Sequence, residues 1–164
     1  MNTITFNFHG QQFKWWQFER YTTAIIKAKS NDLYYHMSLT INDQINFEAL
    51  ALEGVVKGRE LSTPPTYSIT FFVENGEKFN AFYNKLLEIE GKKYDYKGVL
   101  LGFFGLNIHN KNKWYCSELG WLFFKTFFPN FEKSIKTTIS PKSLRMILEG
   151  LKLGIDCPQG KINV

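Results

Sequence analysis

Residues Leu33–Ile41 alternate strictly, and this alternation limits the fold more than any other feature of the chain. Tyr34, His36, Ser38 and Thr40 fall on one side, and Tyr35, Met37, Leu39 and Ile41 on the other. A period of two fits a β-strand with one polar and one apolar face. Asn42-Asp43-Gln44 supplies a hairpin turn. Asn46–Leu52 returns with Phe47, Ala49 and Ala51 on one face and Asn46, Glu48 and Leu50 on the other. The hairpin therefore places His36 and Glu48 near neighbouring rungs of an antiparallel pair.

The same reading extends in both directions. Ile4, Phe6 and Phe8 alternate with Thr5 and Asn7 in a strand, and His9 ends it at what is expected to be a sheet edge. Phe13–Phe18 can pair back as a second strand, and Glu19–Lys29 has the spacing of a short helix. Gly54–Gly58 reads as a further strand. Ser62-Thr63-Pro64-Pro65 breaks the chain as a loop, and Thr66–Val73 is a strand of β-branched and aromatic residues. Glu77–Glu90 presents Phe79, Phe82, Tyr83, Leu86 and Leu87 on one helical face and stops at Gly91. Asp95 can cap a helix through Gly98–Leu106. Cys116–Phe128 is a helix stopped by Pro129. Ser140-Pro141 opens Lys142–Glu149, which Gly150 closes. Leu151–Val164 is expected to be loop with one edge strand. Strands come early and helices late, so the fold class is α+β, with a small antiparallel sheet or partial barrel packed on helices. Residues 1–164 read as a single domain.

Composition narrows the function. Sixteen Phe and eight Tyr in 164 residues supply a core built largely from rings. The 20 basic and 15 acidic residues leave a net charge of +5, but the lysines are scattered. A nucleic-acid surface needs its charge clustered, so specific nucleic-acid binding is not expected. No segment reaches the length of a transmembrane span and no signal-peptide pattern opens the chain, which points to a cytoplasmic protein unless another route exports it. Two cysteines, Cys116 and Cys157, do not make a disulfide framework. Neither they nor the histidines show a paired metal-ligand spacing, so neither a metal nor any other cofactor is expected.

The chemistry gathers at Cys116. It opens an apolar helix after a polar loop, where free N–H groups and the helix dipole favour a thiolate. Nucleophilic thiol chemistry also needs an imidazole and a group to orient it. His36 and Glu48 supply both on the hairpin. His109, seven residues before Cys116, is the rival base. Glu118 sits in the first helical turn, where an acidic side chain is favourable for structure alone. The bland alternative is a buried, unreactive cysteine.

These pieces occur in an order similar to that of a known group. Tyr35-His36-Met37-Ser38-Leu39, Phe47-Glu48-Ala49, Gly54-Val55, Tyr94-Asp95, Trp114-Tyr115-Cys116-Ser117-Glu118-Leu119 and Ile139-Ser140-Pro141 span most of the chain. Together they resemble the circularly permuted papain-like cysteine amidases, the YiiX-like branch of the NlpC-type superfamily. The lecithin retinol acyltransferase-like proteins are more distant relatives of that group. The chain departs from the pattern at Gly120, inside the helix, and lacks the N-terminal Gly-Asp motif of many relatives. The resemblance implies a permuted papain-like fold, with Cys116 as nucleophile, His36 as general base and Glu48 as orienting group. It implies hydrolysis of an amide in a peptide or peptidoglycan-type substrate through a thioester. Tyr35, Tyr94 and Tyr115 are candidates to line the substrate site. Two alternatives remain open: an esterase or acyltransferase acting on lipid, and a catalytically silent binding domain. Oligomeric state is not readable from the sequence.

Overall fold

A computed structural model describes residues 1–10, 34–58, 60–103, 112–130, 140–154 and 161–162 of the chain. The expected strand Phe13–Phe18, the helix Glu19–Lys29, His109 and Cys157 lie outside the described residues, as does the Tyr35 side chain. Within them the architecture is α+β, with a small, mainly antiparallel sheet and several helices.

The alternating segments become strands with nearly the expected bounds: β1 (Asn2–Gly10), β2 (Tyr34–Ile41), β3 (Ile45–Leu50), β4 (Gly54–Lys57) and β5 (Tyr67–Val73). Asn42 and Asp43 make the β2–β3 turn at positive φ (51° and 56°), a region that Asn and Asp tolerate best among non-glycine residues. The Asn42 carboxamide accepts from the Thr3 N–H at 2.8 Å, which ties the turn to β1. A short strand, β8 (Lys161–Ile162), adds to β5 in parallel, so the sheet order is β4-β3-β2-β1-β5-β8.

This order corrects the expected position of β1. It is an interior strand, because β5 pairs along its second side from Asn2↔Val73 to Phe8↔Tyr67. Its alternation matches that of both neighbours. Ile4, Phe6, Phe8, Met37, Leu39, Ile41, Phe47, Ala49, Ile69, Phe71 and Val73 share one face, each at most 1% exposed. The opposite face is polar, yet Thr5, Asn7, His9, Ser38 and Glu48 on it are also buried. Burying polar groups is tolerable only where they are hydrogen-bonded. Asn7 Nδ2 donates to Thr40 Oγ1 at 2.7 Å, Thr40 Oγ1 to Asn46 Oδ1 at 2.8 Å, and Ser68 Oγ to Asn7 Oδ1 at 2.8 Å.

The apolar face takes the helices. α1 (Gly76–Ile89) is capped by Asn75, which accepts the Lys78 N–H at 3.0 Å, and buries Phe79, Phe82, Leu86 and Ile89. α2 (Tyr96–Phe103) starts where Asp95 Oδ1 accepts the Gly98 N–H at 2.9 Å. α3 (Cys116–Phe127) packs through Phe123, whose ring lies 5.1 Å from Phe6, 5.3 Å from Phe71 and 4.8 Å from Phe127. Gly120 allows α3 to come close: a Cβ there would meet Leu144 at 2.5 Å and the Met37 sulfur at 3.3 Å. α4 (Pro141–Gly154) begins with the Ser140 hydroxyl accepting the Ser143 N–H at 3.1 Å. It does not end at Gly150 as expected. Leu144, Leu148 and Leu151 continue one stripe onto the core, and that packing outweighs the roughly 1 kcal/mol that a helical glycine costs. Among the described residues no helix is long and apolar enough to cross a membrane.

Two very short strands escape the sequence reading. β6 (Lys93–Tyr94) and β7 (Lys113–Trp114) pair in parallel, with Tyr94 opposite Trp114. Gly54 docks the 91–93 segment onto β4. Val55 N–H donates to Lys92 O, and Gly91 N–H to Val55 O, both at 2.8 Å. Gly54 has φ +79°, and a Cβ there would stand 2.2 Å from Lys92 O. Gly54→Ala is expected to lower stability by roughly 2–4 kcal/mol, combining backbone strain with a backbone clash. Urea unfolding measures this; a loss below about 0.5 kcal/mol, within the range of an ordinary surface change, would contradict the docking argument.

Candidate active site

Strand pairing sets the polar side chains in register. His36 pairs with His9 across β1–β2, and Ser38 pairs with Glu48 across β2–β3. Glu48 is thus one rung from His36 on the same face, the neighbourhood expected from the hairpin. His36 Nε2 lies 3.3 Å from Glu48 Oε1. Glu48 is fully buried and also accepts twice from Ser62, whose N–H reaches Oε2 at 3.1 Å and whose hydroxyl reaches Oε1 at 3.0 Å. Burial alone would raise this carboxyl; the His36 hydrogen bond and charge, helped by Ser62, bring it below the usual glutamate value.

Cys116 is the first residue of α3 and is 5% exposed. Tyr115 precedes it in extended conformation (φ −123°, ψ 168°), and Glu118 turns back to accept the Tyr115 N–H at 3.0 Å. Glu118 therefore has the structural capping role expected of it. The Cys116 N–H falls in the first turn, where no intrahelical carbonyl can reach it. The Cys116 side chain acts on the His36 imidazole from α3, favouring its protonated form. Burial by itself would push the His36 imidazole down. The hydrogen bonds to Cys116 and Glu48, and the charges of both, overcome it and raise the pKa to about 9. Three chain segments thus bring imidazole, carboxylate and thiol together.

Tyr94 arrives on β6 opposite Trp114, two residues before Cys116. Burial first, then the charges of Cys116, Tyr96, Tyr115 and Glu118, raise its phenol well above the ordinary tyrosine value. It stays protonated beside the thiol. Tyr115 is buried at 8% exposed and serves the chain as the residue before the helix.

The sequence reading set His9 aside; the structure puts it against the site. It is fully buried, with its ring centroid 5.2 Å from that of His36. His9 Nε2 lies 2.9 Å from Ser38 Oγ, and Nδ1 lies 3.1 Å from Thr63 Oγ1. Burial, then the His36 charge, lowers its pKa to about 4. The polar–apolar alternation of β1 already carried the signal, since His9 continues the side of Thr5 and Asn7. Spacing also concealed that His9, His36 and Glu48 each offer one possible ligand atom, all within 4.8 Å of one another. Each of the three is already engaged by a hydroxyl, an imidazole or a thiol. A cation held there would replace those bonds.

The two histidines give opposite pH dependences. His36 has a folded pKa of about 9, above the ordinary 6.5, so its contribution is complete below pH 6.5 and is lost as pH rises through 9. His9 has a folded pKa of about 4, so its contribution is complete above pH 6.5 and is lost as pH falls towards 4. The depressed Glu48 carboxyl adds to the loss on the acid side. Stability is therefore expected to peak near neutrality, each histidine accounting for at most ~3 kcal/mol. Urea midpoints from pH 4 to 10 test this. His36→Ala should flatten the alkaline limb, and an unchanged limb would rule out the elevated His36.

No family model, curated protein or solved structure matches this chain, so the functional reading rests on these side chains and their arrangement.

Proposed function

We propose that the chain is a thiol-dependent hydrolase, with Cys116 as nucleophile, His36 as general acid–base and Glu48 as its orienting partner. The observation that carries the reading is the His36 imidazole, 3.3 Å from the Glu48 carboxylate and raised in basicity by both that carboxylate and the helix-start Cys116. The order of these parts, and the sheet packed on the cysteine helix, agree with a circularly permuted papain-like enzyme. The substrate class that the resemblance suggests is an amide in a peptide or peptidoglycan-type fragment.

The chemistry follows from the geometry. The Cys116 sulfur attacks the carbonyl carbon and the new S–C bond forms. Negative charge moves to the carbonyl oxygen, where the Cys116 N–H at the helix start is the donor. His36 gives its proton to the departing amine as the C–N bond breaks, leaving a thioester. Water then attacks, His36 takes its proton, the acid departs and the thiolate returns. Glu48 stabilises the imidazolium and fixes the ring, as the carboxylate does in other nucleophile–imidazole–acid systems.

Alkylation tests the pair without a known substrate. An ordinary free thiol is only ~3% ionised at pH 7. An imidazolium-paired thiolate reacts roughly ten-fold faster there, even after its lower intrinsic nucleophilicity is allowed for. In a Cys157→Ser background, iodoacetamide should label Cys116 about ten-fold more slowly in His36→Ala than in the wild type, with Glu48→Gln in between. Labelling indifferent to both substitutions would leave a catalytically silent domain.

A further inference from the structure

Glu48 sits in a pocket with two polar walls, and His9 holds both. One wall is Ser38, the cross-strand partner of Glu48 on β2, whose hydroxyl lies 2.9 Å from His9 Nε2. The other is the 60–66 loop. Ser62 of that loop donates twice to Glu48, and its neighbour Thr63 places its hydroxyl 3.1 Å from His9 Nδ1. The loop is otherwise held at its far end, where the Thr66 N–H donates to Phe8 O at 2.9 Å and Thr66 Oγ1 accepts the Gly10 N–H at 2.8 Å. Ser62 itself is solvent-exposed, so no core packing fixes it over the carboxylate.

We propose that His9 is a positioning residue that pins the two walls of the Glu48 pocket, and thereby keeps the carboxylate aimed at His36. The proposal deepens the thiol-hydrolase reading and takes its functional consequence from it. A neutral imidazole has one donor and one acceptor nitrogen, and each hydroxyl can supply the complement. Neutrality also leaves Glu48 to His36, because an imidazolium at His9 would compete for the same carboxylate. The ionisable groups facing His9 among the described residues are His36 from β2 and Glu48 from β3, with Cys116 of α3 beyond His36. The 60–66 loop contributes the Thr63 hydroxyl and the backbone at Thr63 and Pro64. Burial and the adjacent His36 charge keep the ring neutral at ordinary pH.

The link runs from His9 through Thr63, its neighbour Ser62 and Glu48 to His36, so its readout is the His36 titration. The chain has three histidines, which makes imidazole signals assignable by substitution in nuclear magnetic resonance. The wild-type His36 midpoint is expected at about 9. His9→Phe keeps a ring beside His36 and removes both hydroxyl bonds; the proton affinity of His36 should fall roughly ten-fold, and Cys116 labelling at pH 7 should slow with it. His9→Gln, which carries one amide donor and one acceptor, should restore most of the midpoint. Thr63→Val cuts the same link from the loop and should lower the midpoint by a smaller amount.

Thermal unfolding and circular dichroism identify which variants are folded. A folded His9→Phe protein with a wild-type His36 midpoint overturns the proposal. If His9→Phe does not fold, Thr63→Val decides, and an unchanged midpoint there overturns it equally. Failure of the hydrolase reading looks different: Cys116 labelling would ignore His36→Ala, while the His36 midpoint would still report whether His9 governs Glu48.

Discussion

The antiparallel register of β1, β2 and β3 is the constraint on which the rest of the site depends. His9 opposite His36, and Ser38 opposite Glu48, put two imidazoles, a hydroxyl and a carboxylate on one face within two rungs. A slip of one residue between any pair would send one strand's polar set into the aromatic core and its apolar set into the polar face. Phe6, Leu39 and Phe47 oppose that slip from the far side of the sheet. The hydrophobic effect therefore fixes the polar geometry, although no apolar side chain takes part in the proposed chemistry.

Burial makes that geometry electrostatically demanding. An isolated carboxylate in the position of Glu48 would protonate, and an isolated imidazole in that of His36 would lose its proton. Each keeps its charge because the other stands 3.3 Å away and because Ser62 and Cys116 complete the bonding. His9 follows the opposite course. It meets no group that favours its charged form enough, and burial keeps it neutral. Two histidines on one rung thus differ widely in proton affinity, and the difference comes from the partners of each ring. That separation is the pattern expected where one group must carry a proton and its neighbour must stay out of the exchange.

Much of this was legible in the sequence. Strict alternation gave β2 and β3, and the spacing across the Asn42-Asp43 turn placed Glu48 within one rung of His36. The Cys116 helix start was readable from the apolar run and the polar loop before it. The position of β1 was not, because strand order depends on which partners reach its two sides, and β5 lies far along the chain. With β1 read as an edge, nothing pointed to His9 as part of the site. The β6–β7 pair was too short to leave a period, so the approach of Tyr94 to Cys116 was invisible. Gly150 carried a stop signal that core packing overrode. Gly120 looked like a weak point in a helix; its missing side chain is what lets α3 lie against Met37 and Leu144.

That close approach bears on how far chain order matters. The proposed chemistry needs a helix start within reach of an imidazole whose other side meets a carboxylate, and nothing in it requires the thiol to precede the base. Here the imidazole and carboxylate come first in the chain, on one local hairpin closed by a three-residue turn. The thiol comes later, on a helix that Phe123 seats against Phe6 and Phe71. The hairpin sets His36 and Glu48 one rung apart and Ser62 holds the carboxylate, but only docking of α3 brings Cys116 to the imidazole. Packing of α3 on the core is therefore what completes the site. A chain that packed its helix loosely would lose the elevated imidazole before it lost the sheet.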